Sequence, residues 1–313
     1  MDDRLDAGLT ACAPDLPVGV AFSGGADSTA LLAVAARRWP GQVHALHVNH
    51  GLQHAAADFE RHCVQVGERW NVPVHVQRVQ AGNTPGDSPE DAARRARYRA
   101  LASMATEHGL RAVLVAQHAD DQVETLLLAL SRGAGLPGLA AMPARFERHG
   151  TVFLRPWLAV PGAHLREWLA SEGVACIDDP TNADLRFTRN RIRHALLPAL
   201  AQSFPQYRDT FARSARHAAQ AQSLLAEVAA QDLAALQGEA RIEALQSLSR
   251  ARQANLLRHW LTTVHGASAS AVQLEELLDQ VACCTTRGHR LRLRVGGGFV
   301  ERDGPRLTWS PSV

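Results

Sequence analysis

There is no lysine in the 313 residues; all 33 basic side chains are arginine. The abundance of alanine and arginine points to genomic base composition as the cause, but the absence still excludes chemistry. No Schiff-base lysine or catalytic lysine base can exist, nor can the lysine of the phosphate loop GxxxxGK[ST]. If the reaction needs an amine nucleophile, the amine arrives from outside. Cysteine is also scarce. Cys12, Cys63, Cys176, Cys283 and Cys284 form no CxxC pair, which argues against a zinc or iron–sulfur site on paired cysteines and for a reducing compartment. No apolar run approaches the ~20 residues of a membrane span. The start MDDRLDAGLTACAPD is acidic and lacks the apolar core of a secretion signal. A cytoplasmic protein without membrane contact is expected. The net charge of +2 is too small to indicate a nucleic-acid partner, so local clustering must carry that case.

What is present alternates. Val18–Phe22, Val43–Val48, Val74–Val79 and Ala112–Ala116 read as strands. Ser28–Arg38, Ala55–Trp70, Ser88–His108 and Asp120–Leu130 read as helices. That order predicts an α/β fold with a doubly wound parallel sheet, whose ligands sit outside the carboxyl ends of the strands. The register changes near Pro198–Pro205. Helices are expected from Tyr207 to about Leu236, at Ser249–Val264 and at Ser270–Val281. A small β meander follows over Leu291–Val295, Phe299–Arg302 and Arg306–Trp309. The expected division is a catalytic domain over 1–205 and a smaller, mostly helical domain over 206–313.

Chemistry-bearing residues fall at the predicted strand ends. Ser23-Gly24-Gly25-Ala26-Asp27-Ser28 joins the first strand to a helix. Its glycines let backbone N–H groups converge at a positive helix end, and its serines add hydroxyls. A phosphate cradle without lysine suits a pyrophosphate that leaves as a unit, neutralised by Mg²⁺ and arginine. After the fourth strand, AQHADDQVET places His118, Asp120, Asp121 and Glu124 around the first helical turn. Those acids suit the helix dipole, a Mg²⁺ ion or a cationic substrate amine. LSRGAGLPGL supplies Arg132 on a glycine loop. Glu90 and Arg94 stand four apart, as a helix-surface pair would. IDDPTNADLRFTRNRIRHALLP offers Phe187 as a stacking face. Arg186, Arg189, Arg191 and Arg193 offer phosphate forks, and Asn190 a base-edge amide.

SGGxDS after a first strand resembles the PP-loop ATPases, the adenine nucleotide α-hydrolase-like group. HxDDxxET, RGxGxxGL, Arg155-Pro156 and DxTNxDxxFxRNxxR resemble, more narrowly, the tRNA(Ile)-lysidine synthetase family. The likeness is strong over about residues 17 to 205 and weaker beyond. It implies a ligase acting on the wobble cytidine of a CAU-anticodon tRNA(Ile). ATP adenylates the base at its 2-carbonyl oxygen, and free L-lysine displaces AMP. The codon read changes from AUG to AUA and the identity from Met to Ile. The resemblance implies ATP contacts at Ser23, Gly24, Gly25, Ala26, Asp27, Ser28, His50, Arg94 and Arg132. Asp27, His118, Asp121 and Arg189 are the implied catalytic residues. Lysine falls to Asp121 and Glu124, Mg²⁺ to Asp27 and Asp120, and tRNA to Arg186, Phe187, Asn190 and Arg193. Which acid serves lysine and which the metal stays open, and a homodimer is an allowed assembly. Some relatives carry a lysine beside the glycine loop where Ser131 stands here, which leaves its task to Arg132. Larger relatives add a C-terminal domain beyond the expected end of this pattern. A tRNA thiolase would need paired cysteines. An idle RNA-binding module would not need SGGADS, and a small-molecule amide ligase would not need the arginine–aromatic segment.

Overall fold

The structure, a computed structural model, describes residues 2–49, 56–79, 89–177, 180–286 and 288–312. Chain contacts divide it into Met1–His217 and Ala218–Val313.

In the first unit the strands are β1 (Val18–Ala21), β2 (Val43–Asn49), β3 (Val74–Arg78), β4 (Ala112–Leu114), β5 (Arg145–Arg148) and β6 (Thr151–Leu154). They form one sheet in the order β3-β2-β1-β4-β6-β5, parallel except for the edge hairpin β5–β6. Helices α1 (Asp3–Cys12), α2 (Ala26–Arg38), α3 (Ala56–Arg69), α4 (Pro89–Glu107) and α5 (Ala119–Ser131) alternate with the strands. The short α6 (Leu136–Leu139) lies in the glycine loop, and α7 (Gly162–Ser171) follows the hairpin.

Both sheet faces are covered, as parallel strands require. Leu5 and Leu9 of α1, Leu31 and Leu32 of α2, and Leu165 and Trp168 of α7 pack with Val18 and Val20. On the other face, Tyr98, Leu101 and Met104 of α4 pack against Leu46, Val113 and Phe153. The sequence reading placed the first four strands and α2 to α5 within a few residues of these bounds. It did not identify α1, α7 or the β5–β6 hairpin.

The chain continues through α8 (Thr188–Arg191), a π turn over Ile192–Leu196, α9 (Leu197–Ser203) and the long α10 (Tyr207–Ala235). Val123 of α5, Ile192, Leu197 and Tyr207 form a separate small core. The second unit holds α11 (Ile242–Ser247), α12 (Arg250–His265) and α13 (Ala271–Ala282). An antiparallel sheet of β7 (Arg292–Val295), β8 (Gly298–Asp303) and β9 (Arg306–Pro311) completes it. Its core is leucine-rich, with Leu256, Leu257, Leu274 and Leu277 around Trp260. Ser270 caps α13 reciprocally with Gln273, at 3.2 and 3.0 Å. Among the described residues no helix is long and apolar enough to cross a membrane.

Candidate active site

The carboxyl ends of the adjacent strands β1 and β4 carry the two short motifs, and this places them side by side. At β1, Gly24 takes φ +85°, which turns the chain sharply into α2. The turn is held from within. Ser28 Oγ accepts from the Ser23 N–H at 3.2 Å and donates to the Gly25 carbonyl at 3.0 Å. The Gly24 carbonyl accepts from the Ile177 N–H at 3.0 Å, tying the loop to the segment that leads into the arginine-rich stretch. The first N–H groups of α2 lack helical partners by construction and face the loop side, an arrangement that suits an anion.

Asp27, in the first turn of α2, has one buried carboxylate oxygen, Oδ1, with no hydrogen-bond partner. Its Oδ2 lies 3.5 Å from His118 Nε2, and Asp121 Oδ2 lies 3.6 Å from the same nitrogen. With Asp120 Oδ2 at 3.7 Å from Nδ1, three carboxylates converge on one imidazole that is itself buried. Burial alone would lower the His118 pKa; the charges of Asp27, Asp121 and Asp120 outweigh it and raise it. Asp121 Oδ2 also accepts from the His118 backbone N–H at 3.0 Å, which fixes the start of α5.

The acids of α5 face three different neighbours. Asp120 Oδ2 accepts from the Gly162 N–H at 2.9 Å. Its Oδ1 accepts from Tyr207 Oη at 3.1 Å and from Arg208 Nε at 2.6 Å. Both of its oxygens are therefore engaged by structural donors. Asp121 turns toward His118 and Arg193. Glu124 is fully buried and faces Arg193, with Nε–Oε1 at 2.8 Å and Nη2–Oε2 at 3.2 Å. Arg193 Nη2 also reaches Asp121 Oδ1 at 3.2 Å. Burial pushes the Glu124 carboxyl up, and Arg193 only partly offsets it.

The remaining sequence-predicted residues separate into groups. Arg189 Nη2 donates to Thr125 Oγ1 of α5 at 3.3 Å, so it borders the acid cluster. Arg186 is exposed and clasps Asp184, at 2.7 Å in the closest contact. Phe187 is exposed beside it. Asn190 is buried, and its amide donates to the Asp184 carbonyl at 2.9 Å, which shapes the loop from inside. Arg94 is exposed on α4, near the Tyr98 ring at 5.9 Å, and Arg132 is exposed at the end of α5. His50 lies outside the described residues.

Several supporting residues were not foreseen. Buried Arg155 donates to Gln117 and, at 2.7 Å, to the Pro143 carbonyl, with its face on the Phe146 ring. Gln122 holds the Met142 backbone at both its N–H and its C=O, each at 2.9 Å, and so anchors the end of the glycine loop. Gly162 leaves room for His118. A Cβ at this position would lie 2.7–2.8 Å from the imidazole. Gly162→Ala is expected to displace His118 and lower turnover by roughly tenfold or more, with only modest loss of melting temperature. AMP release and a thermal melt on the same preparation check this.

Residues 6–200 match the PP-loop domain family, and residues 241–308 match the TilS substrate binding domain. The tRNA(Ile)-lysidine synthase of Polaromonas naphthalenivorans is 63% identical over 298 residues, which is 95% of this chain and 90% of that protein.

The chain belongs to the tRNA(Ile)-lysidine synthase family.

The family member from Burkholderia pseudomallei is 41% identical, with 98% of this chain matched to 64% of that longer protein. Among solved structures, the U34-tRNA thiolase NcsA from Methanococcus maripaludis superposes with a TM-score of 0.58 at 14% identity. The match covers 69% of this chain and 77% of the thiolase, and at that identity the likeness is one of fold. The thiolase was solved with a [4Fe-4S] cluster. In this chain Cys63 is buried, and burial raises its thiol to about 12, far from a thiolate at neutral pH.

Proposed function

We propose that the chain joins free L-lysine to C2 of the wobble cytidine in CAU-anticodon tRNA(Ile), through an adenylated base, and releases AMP and diphosphate. The observation that carries this reading is the meeting of the SGGADS loop with Asp27, His118 and Asp121 at neighbouring strand ends, in a chain of this family. ATP use follows from the PP-loop family match, and a tRNA substrate from the family.

Each part has a task. The loop N–H groups and the end of α2 hold the β- and γ-phosphates as they depart together. Arg132, and Arg94 from α4, add positive charge toward the nucleotide. The unpartnered, buried Asp27 Oδ1 is a hard anionic oxygen beside the phosphate loop, which fits Mg²⁺. Asp27 would hold it, whereas both oxygens of Asp120 and both of Asp121 already accept hydrogen bonds. Bound there, Mg²⁺ supplies neutralisation of phosphate charge. Lysine is assigned to Asp121 and Glu124, whose charge suits an ammonium. Arg189 flanks the reacting group, and Arg186 and Phe187 present a charged fork and a ring to the anticodon loop. A tRNA substrate suits a cytoplasmic enzyme.

The test uses the purified chain with ATP, labelled lysine and a CAU-anticodon tRNA(Ile) transcript. The expected result is lysine label in one modified cytidine, with one AMP per lysine. AMP formation without label in the nucleoside would overturn the lysine assignment. No AMP at all would overturn the adenylation.

A further inference from the structure

The fork between Arg193 and Glu124 stands where the proposed reaction needs a different cation. Glu124 is at the floor of the acid cluster with no exposed surface, while the Arg193 side chain keeps 39% of its surface exposed. A buried carboxylate needs a paired donor, and in this structure the guanidinium is that donor. Arg193 also bonds Asp121, so it occupies both carboxylates assigned to the lysine ammonium. It sits on the π turn Ile192–Leu196, a backbone irregularity that often marks functional sites. On the same stretch Arg191 is exposed, and exposed Arg186 is clasped to Asp184.

We infer that Arg193 fills the amine site of the free enzyme and yields it to the lysine ammonium when tRNA phosphate draws the guanidinium away, so that tRNA opens the site to lysine. The exchange keeps one positive charge against Asp121 and Glu124 throughout. A compact ammonium replaces a planar fork, and no buried carboxylate is stranded. Arg193 is tethered, so its effective concentration at the site is high, and free lysine competes poorly by itself. A phosphate gives Arg193 a charge-assisted alternative and removes that competition. By linkage, lysine then tightens tRNA binding by the same factor.

This inference rests on the assignment of lysine to Asp121 and Glu124, and the experiment separates the two. Labelled-lysine binding is measured without ATP, so that no turnover occurs. It is done with and without the tRNA transcript. The wild-type chain is expected to bind lysine at least ~10-fold more tightly with tRNA present. Arg193→Met is expected to bind lysine alone as tightly as the wild type does with tRNA, with the coupling lost. Arg193→Lys, which returns a tethered ammonium, is expected to restore the coupling. Unchanged or weaker lysine binding by Arg193→Met, in protein with normal melting and ATP binding, overturns the exchange. So does a wild-type chain in which tRNA has no effect on lysine affinity, a result that does not depend on any variant folding. Asp121→Asn and Glu124→Gln test the assignment itself. If they abolish lysine binding while Arg193→Met changes nothing, the amine site stands and the exchange fails. If they leave lysine binding intact, the amine site lies elsewhere and both fail.

Discussion

Asp27→Asn is expected to reduce AMP and diphosphate formation by at least roughly a thousandfold while leaving the fold intact. The substitution keeps the shape of the side chain and removes its charge. Oδ1 has no partner to lose, and Oδ2 has only the 3.5 Å approach of His118 Nε2. The stability change should therefore stay within about 1 kcal/mol. The functional loss comes from two sources. A neutral amide at the phosphate loop is a poor ligand for a hard divalent cation. It also removes one of the charges that keep the His118 pKa raised, so the imidazole becomes neutral at lower pH. Single-turnover AMP release, read beside a thermal melt, checks the prediction. Normal turnover in folded Asp27→Asn would remove this acid from the chemistry.

Much of this site could be read from the sequence because its motifs are local. SGGADS is a strand, a turn and a helix start within six residues, and its function lies in backbone N–H groups that the turn itself positions. HADDQVET announced its acids equally plainly, but not their partners. Successive residues on a helix point about 100° apart, so Asp120 and Asp121 take different hydrogen-bond partners, although both lie near the His118 ring, at 3.7 Å from Nδ1 and 3.6 Å from Nε2. Sequence order does not say that Asp120 meets Gly162, Tyr207 and Arg208 while Asp121 meets His118 and Arg193. The residues that decide this lie 42 to 88 positions away from Asp120 in the chain. Arg193 looked like a free phosphate fork for the same reason, since its acid partners are on another helix. The β5–β6 hairpin was missed because β5, RFER, has a single apolar residue among charged ones, and so lacks the apolar run that marked β1 and β4. Gly162 carried no signal at all. A glycine after a proline reads as a turn, and only the His118 ring packed on it explains why a side chain is excluded.

Asp120 separates a structural role from a metal-binding one, and Asp120→Ala is expected to show the largest stability loss of any acid in the cluster. Its carboxylate joins its own helix α5 to two segments: α7 through the Gly162 N–H, and the start of α10 through Tyr207 and Arg208. Burial opposes its ionisation, but the Gly162 N–H, Arg208 and His118 outweigh burial and hold the carboxyl below its ordinary range. The same carboxylate helps push the Tyr207 phenol up to about 12, after burial itself. Removing one partner of a fully buried pair costs about 3–5 kcal/mol. Arg208 keeps 31% of its side chain exposed, so about 2–3 kcal/mol is the better expectation here. For a unit of this size that is a fall of roughly 4–12 °C in melting temperature. The pH dependence has a definite sign. A carboxyl with a lowered folded pKa contributes stability that is fully present above its unfolded value of about 3.9. That contribution is lost as pH falls through the folded pKa. Acid unfolding of the wild type below about pH 4 should thus lose part of its steepness in Asp120→Ala. Asp120→Asn, which keeps the acceptor oxygen, should retain more stability and allow turnover to be measured. Its half-saturating Mg²⁺ concentration should match the wild type if Asp120 is structural. A raised Mg²⁺ requirement with unchanged melting would instead return Asp120 to the metal site.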